Sequence, residues 1–277
     1  MFIKNINKFL EKYNNINKSQ FMKILSWNNP FDDYKFEKDF LLTLILIKFE
    51  KYSDLIFKTC LNKIYFPYFR MSEDLDFVLN TDLQSGRKKL LKDYENNFVE
   101  DLKKLINLRE ERTKFDSYKL AMFTFEYNSI INNSIQTIKI DISLKNNLQL
   151  KPVSEIRSIY IDKIIEENIF DKHYINCIDL KESVAEKLRA SLTRTTPAIR
   201  DFFDIWFIKN NSDFDFEDID FKKLVNLKLK EVNFEYSLED NYDLLFRQIQ
   251  TDLKPVLNNN FSFKFEEIYD FILSFKK

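Results

Sequence analysis

Arg70-Met71-Ser72-Glu73-Asp74-Leu75-Asp76-Phe77 is the stretch on which the reading of this chain turns. Read as a strand end, a period of two places Ser72, Asp74 and Asp76 on one face and Met71, Glu73, Leu75 and Phe77 on the other. Two aspartates then share a side. Carboxylates about 4 Å apart repel by about 4 kcal/mol at an effective dielectric of 20, so the arrangement calls for a cation, a basic partner or a raised pKa. A divalent metal satisfies it most simply. Oxygen-only ligation suits Mg²⁺, which takes one or two carboxylates together with waters and substrate phosphates, and the chemistry such a site serves is phosphoryl or nucleotidyl transfer. By itself, Asp-x-Asp also describes a surface strand end with two solvated acids.

Asp141 adds weight to the first reading. Lys119 to Tyr127 and Ile135 to Leu144 are rich in aromatic and β-branched residues and are separated by the polar Asn128 to Ser134, which predicts an antiparallel pair. In the second strand Ile138, Ile140, Ile142 and Leu144 point one way, while Lys139, Asp141 and Ser143 point the other. Asp141 thus lies among apolar neighbours on a sheet, where a carboxylate without a partner is poorly solvated.

Helices flank these strands. Phe36, Phe40, Leu41, Leu44, Ile45 and Phe49 recur at helical spacing after the N-cap candidates Asp32 and Asp33. A second helix is expected between Leu83 and Arg112, with Leu91, Tyr94, Phe98, Leu102, Leu105 and Leu108 as its stripe. From about Leu180 the pattern is helical again, near Lys181 to Ser191, Pro197 to Lys209, Asp243 to Leu253 and Phe265 to Phe275. Asp179 and Glu182 read as a capping box, and Thr196-Pro197 as the start of the next helix. The expected fold class is therefore α+β: residues 1–179 form a mixed sheet with flanking helices, and residues 180–277 form a helical domain.

Composition narrows the function classes. The 277 residues carry 43 Lys and Arg against 44 Asp and Glu, a net charge of -1, so no global basic field advertises nucleic acid or membrane surface. Two cysteines, Cys60 and Cys177, and one histidine, His173, argue against a Cys/His zinc site and a histidine triad. The longest mainly apolar stretch, Phe40 to Ile47, is far shorter than the roughly 20 residues a bilayer needs, so a cytoplasmic protein without a membrane span is expected. With one glycine in the chain, turns at positive φ fall to asparagine, at Asn132-Asn133, Asn146-Asn147 and Asn258 to Asn260.

Six segments in order resemble the motifs of the AbiEii/AbiGii toxin family of nucleotidyltransferase-like proteins of the polymerase-beta type. They are Glu37-Lys38-Asp39 with Leu41 and Thr43, Phe57 to Tyr65, Arg70 to Phe77, Lys139 to Ser143, Ala185 to Ala190, and Arg200 to Trp206. The resemblance implies that Asp74 and Asp76 bind Mg²⁺ and a nucleoside triphosphate and that Asp141 is the third acid. It places Lys58, Thr59 and Ser72 beside the nucleotide, and gives functional roles to Lys187, Arg200, Asp201 and Asp204. It further implies transfer of a nucleotide to an RNA acceptor, plausibly a tRNA end, and a cognate antitoxin.

One departure opens an alternative. Family members carry Gly-Gly between the lysine matching Lys58 and the following threonine, whereas here Lys58 runs directly into Thr59. Glycines there let backbone N–H groups approach a triphosphate closely. Two readings follow: an enzyme with a shortened loop, or a catalytically impaired relative acting through antitoxin or RNA contacts. In the helical part, Lys187 sits at the border of an apolar face, where it either reaches phosphate or covers apolar surface with its stem. Arg200 and Asp204, four apart among aromatics, read equally as a structural pair or as a substrate contact. Arg189, Arg194 and Arg200 are candidates for a basic rim. Cys60 reads as a buried filler, and nothing gives His173 a catalytic role.

Overall fold

The computed structural model describes residues 33–66, 69–80, 109–116, 120–144, 148–151, 173–232, 238–257 and 262–276, with isolated positions and pairs elsewhere. It divides into two compact units, Met1–Ile178 and Asp179–Lys277.

The first unit opens with α1 (Asp33–Phe49). The spacing predicts one apolar stripe, but Leu42, Leu46 and Ile47 are buried as well, so the helix is enclosed nearly all round. It is a core element. A five-stranded mixed sheet follows, in the order β1 (Leu55–Phe57), β2 (Asp74–Leu79), β5 (Ile135–Ser143), β4 (Leu120–Asn128), β3 (Arg109–Asp116). β2 and β5 run parallel, and every other neighbouring pair is antiparallel. The predicted β4–β5 pair is present, and its turn is closed by Asn133 at φ 55, as the shortage of glycine requires.

Alternation decides the two faces of the sheet. Leu75 and Phe77 of β2, Phe123 and Phe125 of β4, and Ile138, Ile140 and Ile142 of β5 are buried. Phe49 of α1 packs on Phe77 with ring centroids 5.5 Å apart and stacks on Phe98 at 4.4 Å, and Phe98 meets Phe123 edge to face at 5.8 Å. This aromatic seam fastens α1 to the apolar face. On the opposite face Asp74, Asp76, Met122 and Asp141 are half-buried.

The long helix expected over 83–112 lies mostly outside the described residues; Lys92, Asn96 to Phe98 and Glu100 are helical. Its end is corrected, because Arg109 to Arg112 belong to β3 and pair with β4. Arg109-Glu110-Glu111-Arg112 has no apolar stripe to hold a helix, and the free hydrogen-bonding edge of β4 claims it. Asp32, Asn146-Asn147 and Asn258 to Asn260 also fall outside the described residues. No described helix is long and apolar enough to cross a membrane.

The second unit contains α2 (Leu180–Thr193), α3 (Ile199–Asn211), α4 (Ile219–Lys230), α5 (Tyr242–Gln248) and α6 (Phe265–Leu273). Asp179 caps α2 by accepting from the Lys181 N–H at 2.8 Å. Glu182 does not complete a capping box: it is buried, 2.6 Å from Lys228 Nζ, and ties α2 to α4. Burial disfavours the Lys228 ammonium, but Glu182 and Glu186 outweigh it and hold its pKa above the ordinary lysine value. α3 starts at Ile199 rather than at Thr196-Pro197. Its first N–H donates to Gln248 Oε1 at 2.9 Å while Gln248 Nε2 donates to Pro197 O at 3.1 Å, so a glutamine distant in sequence does the capping. The helix α4 is absent from the sequence expectations.

Candidate active site

The site in the first unit is built on the parallel pair β2–β5. Their register sets Asp74 opposite Lys139 and Asp76 opposite Asp141. Opposed residues of adjacent strands project to the same side, so Asp74, Asp76 and Asp141 share the half-buried face. Burial pushes the Asp141 carboxyl above its ordinary pKa, the charge of Asp74 adds to this, and Lys139 opposes it. The sign has a testable consequence. Above its usual range the folded state keeps a proton that the unfolded chain has already released, so this group lowers stability as pH rises. Asp141→Asn is therefore expected to melt higher than wild type at pH 7, with the gain shrinking toward acid pH; thermal melts across pH 4–8 check it.

The loop after β1 is knitted to the acidic strand. The N–H of Lys58 donates to the carbonyl of Asp76 at 2.8 Å, and the N–H of Asp76 donates to Thr59 Oγ1 at 3.3 Å. Lys58 and Thr59 are both half-buried. Ser72 departs from the predicted shared face: β2 begins only at Asp74, so alternation does not extend to it, and Ser72 is buried. Its N–H donates to Asp39 Oδ1 at 3.0 Å, and its hydroxyl accepts from Asn62 Nδ2 at 3.0 Å.

α1 supplies three consecutive charges. Glu37 is buried and accepts from Ser129 Oγ at 2.5 Å and the Ile130 N–H at 2.7 Å, holding the β4–β5 turn. Asp39 is buried against Lys63, 3.0 Å away. Between them, half-buried Lys38 has its ammonium pushed down by burial; Glu73 and Asp74 oppose this, while Lys35 and Lys139 reinforce it. Lys35 itself is ion-paired to Glu73.

Within the second unit, Lys187 Nζ lies 2.7 Å from Asp201 Oδ1 and 3.1 Å from Asp204 Oδ2, and Arg194 reaches Asp201 Oδ2 at 2.7 Å. Lys187 therefore does not lie idle along an apolar face; two carboxylates orient its head. Arg189 is engaged by Glu186 at 2.8 Å, and Arg200 is half-buried. Arg189 and Arg194, both expected in a basic rim, are thus already paired with carboxylates. His173 pairs with Glu50 at 3.0 Å. Cys60 is a buried filler, its thiol 3.8 Å from the Ile178 carbonyl.

Among the described residues, no group of three His, Cys, Asp or Glu side chains is drawn together tightly enough to hold a metal ion by itself. The donor set nevertheless suits Mg²⁺ brought with a triphosphate: oxygen ligands only, one or two carboxylates, with waters and phosphates filling the remaining positions.

A family model described as "Nucleotidyl transferase AbiEii toxin, Type IV TA system" matches residues 42–269. The chain belongs to the AbiEii family. It is a nucleotidyltransferase, of the kind that serves as the toxin of a toxin–antitoxin system. The crystal structure of JHP933 from Helicobacter pylori is similar to it with TM-score 0.53 at 18% identity, covering 88% of this chain and 91% of that one. A second H. pylori structure, titled as a candidate nucleotidyltransferase, is similar with TM-score 0.51 at 19% identity, covering 88% and 94%. These likenesses establish a shared fold. No curated protein matches the chain. The family brings an antitoxin partner and a nucleoside triphosphate substrate with it.

The sequence reading missed what stands behind the AbiEii acids: Asp39, Asn62 and Lys63 as one buried network. A signal was present, since Asp39 directly precedes the apolar run Phe40 to Ile47 and Lys63 sits between Leu61 and Ile64, and charges in apolar runs mark buried pairs.

Proposed function

We propose that this AbiEii protein transfers a nucleotide from a nucleoside triphosphate to an RNA acceptor, plausibly a tRNA end, in a Mg²⁺-dependent reaction in the cytoplasm. One observation carries the reading: Asp76 and Asp141 stand directly opposite on parallel strands, with Asp74 on the same face. Asp74 and Asp76, with Asp141 beside them, would hold the metal. When bound, Mg²⁺ neutralises phosphate charge and lowers the barrier to displacement.

The chain's own residues then have defined work. The acceptor hydroxyl oxygen forms a bond to the α-phosphorus, the bond from that phosphorus to the pyrophosphate oxygen breaks, and pyrophosphate leaves with its electron pair. Asp141, opposite Asp76 on the same face, takes the hydroxyl proton. Lys58 and Thr59 remain the expected nucleotide neighbours in the first unit, whereas Ser72, buried and held by Asp39 and Asn62, supports the strand instead. In the second, Lys187 and Arg200 are assigned to phosphate charge, and Asp204, with Asp201, orients the Lys187 ammonium.

A second reading, a catalytically impaired relative that works through antitoxin or RNA contacts, is favoured by a specific observation. The main chain of the shortened loop is bonded to the acidic strand instead of being free for phosphate: the Lys58 N–H donates to the Asp76 carbonyl at 2.8 Å. Calorimetry with ATP, GTP, CTP and UTP in Mg²⁺, alongside incorporation of labelled triphosphate into total RNA, separates the two. Binding of one nucleotide in the micromolar range with incorporation is the expected result. No binding of any of the four supports the impaired relative.

A further inference from the structure

The acid-bearing strand β2 is gripped from behind. Asp39 and Lys63 are both 0% exposed, and Asp39 Oδ1 accepts two hydrogen bonds, from Lys63 Nζ at 3.0 Å and from the main-chain N–H of Ser72 at 3.0 Å. Lys63 also donates to Thr43 Oγ1 at 2.9 Å, and that hydroxyl donates to the Asp39 carbonyl at 3.0 Å, which closes the network on α1. The neighbouring Asn62 donates to the Arg70 carbonyl at 2.9 Å and to Ser72 Oγ at 3.0 Å. Three points of the chain just ahead of Asp74 are therefore held: the Arg70 carbonyl, the Ser72 N–H and the Ser72 hydroxyl.

Adhesion alone does not explain this. A buried ion pair recovers little more than its own desolvation cost, and apolar residues of the same volume glue a core as well or better. What apolar residues cannot do is present a fixed acceptor to a single main-chain N–H. Asp39 does so, with Lys63 setting the direction of its carboxylate. Just beyond Asp74, Lys58 and Thr59 hold the main chain of Asp76 from the other side. Carboxylates that serve one cation need placement to within about 0.5 Å, and the three acids repel one another.

We infer that Asp39 is a positioning residue for the acidic face: oriented by Lys63, it anchors the Ser72 main chain and so sets Asp74 beside Asp76 and Asp141. The inference rests on the nucleotidyltransferase reading of those acids.

Two double variants isolate the contact. Asp39→Asn with Lys63→Met removes the ion pair but keeps an oxygen acceptor for the Ser72 N–H; Asp39→Leu with Lys63→Met removes both. They differ in whether residue 39 offers the Ser72 N–H an acceptor, and are expected to melt within a few degrees of each other. Mn²⁺ is titrated into each full-length protein and followed by electron paramagnetic resonance, and incorporation of labelled nucleotide is measured in parallel. The asparagine variant is expected to bind Mn²⁺ like wild type. The leucine variant is expected to bind it about 10- to 100-fold more weakly, the range typical of lost outer-sphere support, with kcat falling in step and KM for the triphosphate little changed.

Equal Mn²⁺ affinity in the two double variants, or a loss that simply follows melting temperature, overturns the inference. If the leucine variant fails to fold, Asp39→Ala with Lys63→Met, which likewise removes the acceptor of the Ser72 N–H, carries the same expected loss, and unchanged affinity there overturns it too. Wild-type protein that binds no Mn²⁺ and incorporates no nucleotide instead defeats the nucleotidyltransferase reading of the acids, and the inference with it.

Discussion

Asp76→Ala is expected to abolish incorporation of labelled nucleotide, with kcat reduced about 10³-fold or more, while the melting temperature stays within a few degrees of wild type. Asp76 is half-buried and faces Asp141 across the β2–β5 ladder. Truncating it removes like-charge repulsion and leaves the main-chain bonds to Lys58 and Thr59 in place, so the sheet has no reason to open. A charged group that stabilises developing charge is worth several kcal/mol to the reaction. Growth arrest on induced expression should disappear with the activity. Incorporation at the wild-type rate by the folded variant removes Asp76 from the site.

Asp39→Ala has the largest expected effect on stability. It strands Lys63, fully buried, without its carboxylate partner and leaves the Ser72 N–H without an acceptor. Breaking a buried pair in this way costs about 3–5 kcal/mol. At about 2–4 °C per kcal/mol for a unit of this size, the melting temperature falls by about 10 °C. The pH dependence carries a sign. Burial already pushes the Lys63 ammonium below its ordinary pKa against the pull of Asp39, and without Asp39 it falls further. Between that lowered value and the unfolded one, the native state binds fewer protons than the unfolded chain, so the variant gains stability as pH rises. Urea unfolding at pH 7 and pH 9.5 should show the deficit against wild type narrowing at the higher pH. A deficit independent of pH would mean that Lys63 finds another partner in the variant.

Much of the first unit was legible from local patterns. Ile138, Ile140 and Ile142 alternate with Lys139 and Asp141, and only a strand with one buried face makes such a pattern stable; β5 is that strand. The Asp-x-Asp at Asp74 and Asp76 announced a shared side for the same reason. Other elements were not legible. Arg109 to Arg112 carries no apolar period, so its state was settled by the open edge of β4. Ser72 belongs by parity with Asp74, yet the ladder stops two residues short of it, at Asp74, and a buried aspartate takes its N–H. Glu182 has capping-box spacing, but Lys228, far along the chain, competes for it successfully.

Side-chain periodicity along one segment is a local property, set by the pleat and by which face meets water; it assigned acids to strand faces before any fold was known. Register between segments is not local. Asp141 comes opposite Asp76 because β2 and β5 pair in parallel with one particular offset, and a slip of one residue would turn Asp141 into the core. That offset is held by the packing of Leu75, Phe77, Ile140 and Ile142 together, and by the Asp39–Lys63 grip on Ser72, contacts that exist only once distant parts of the chain have met.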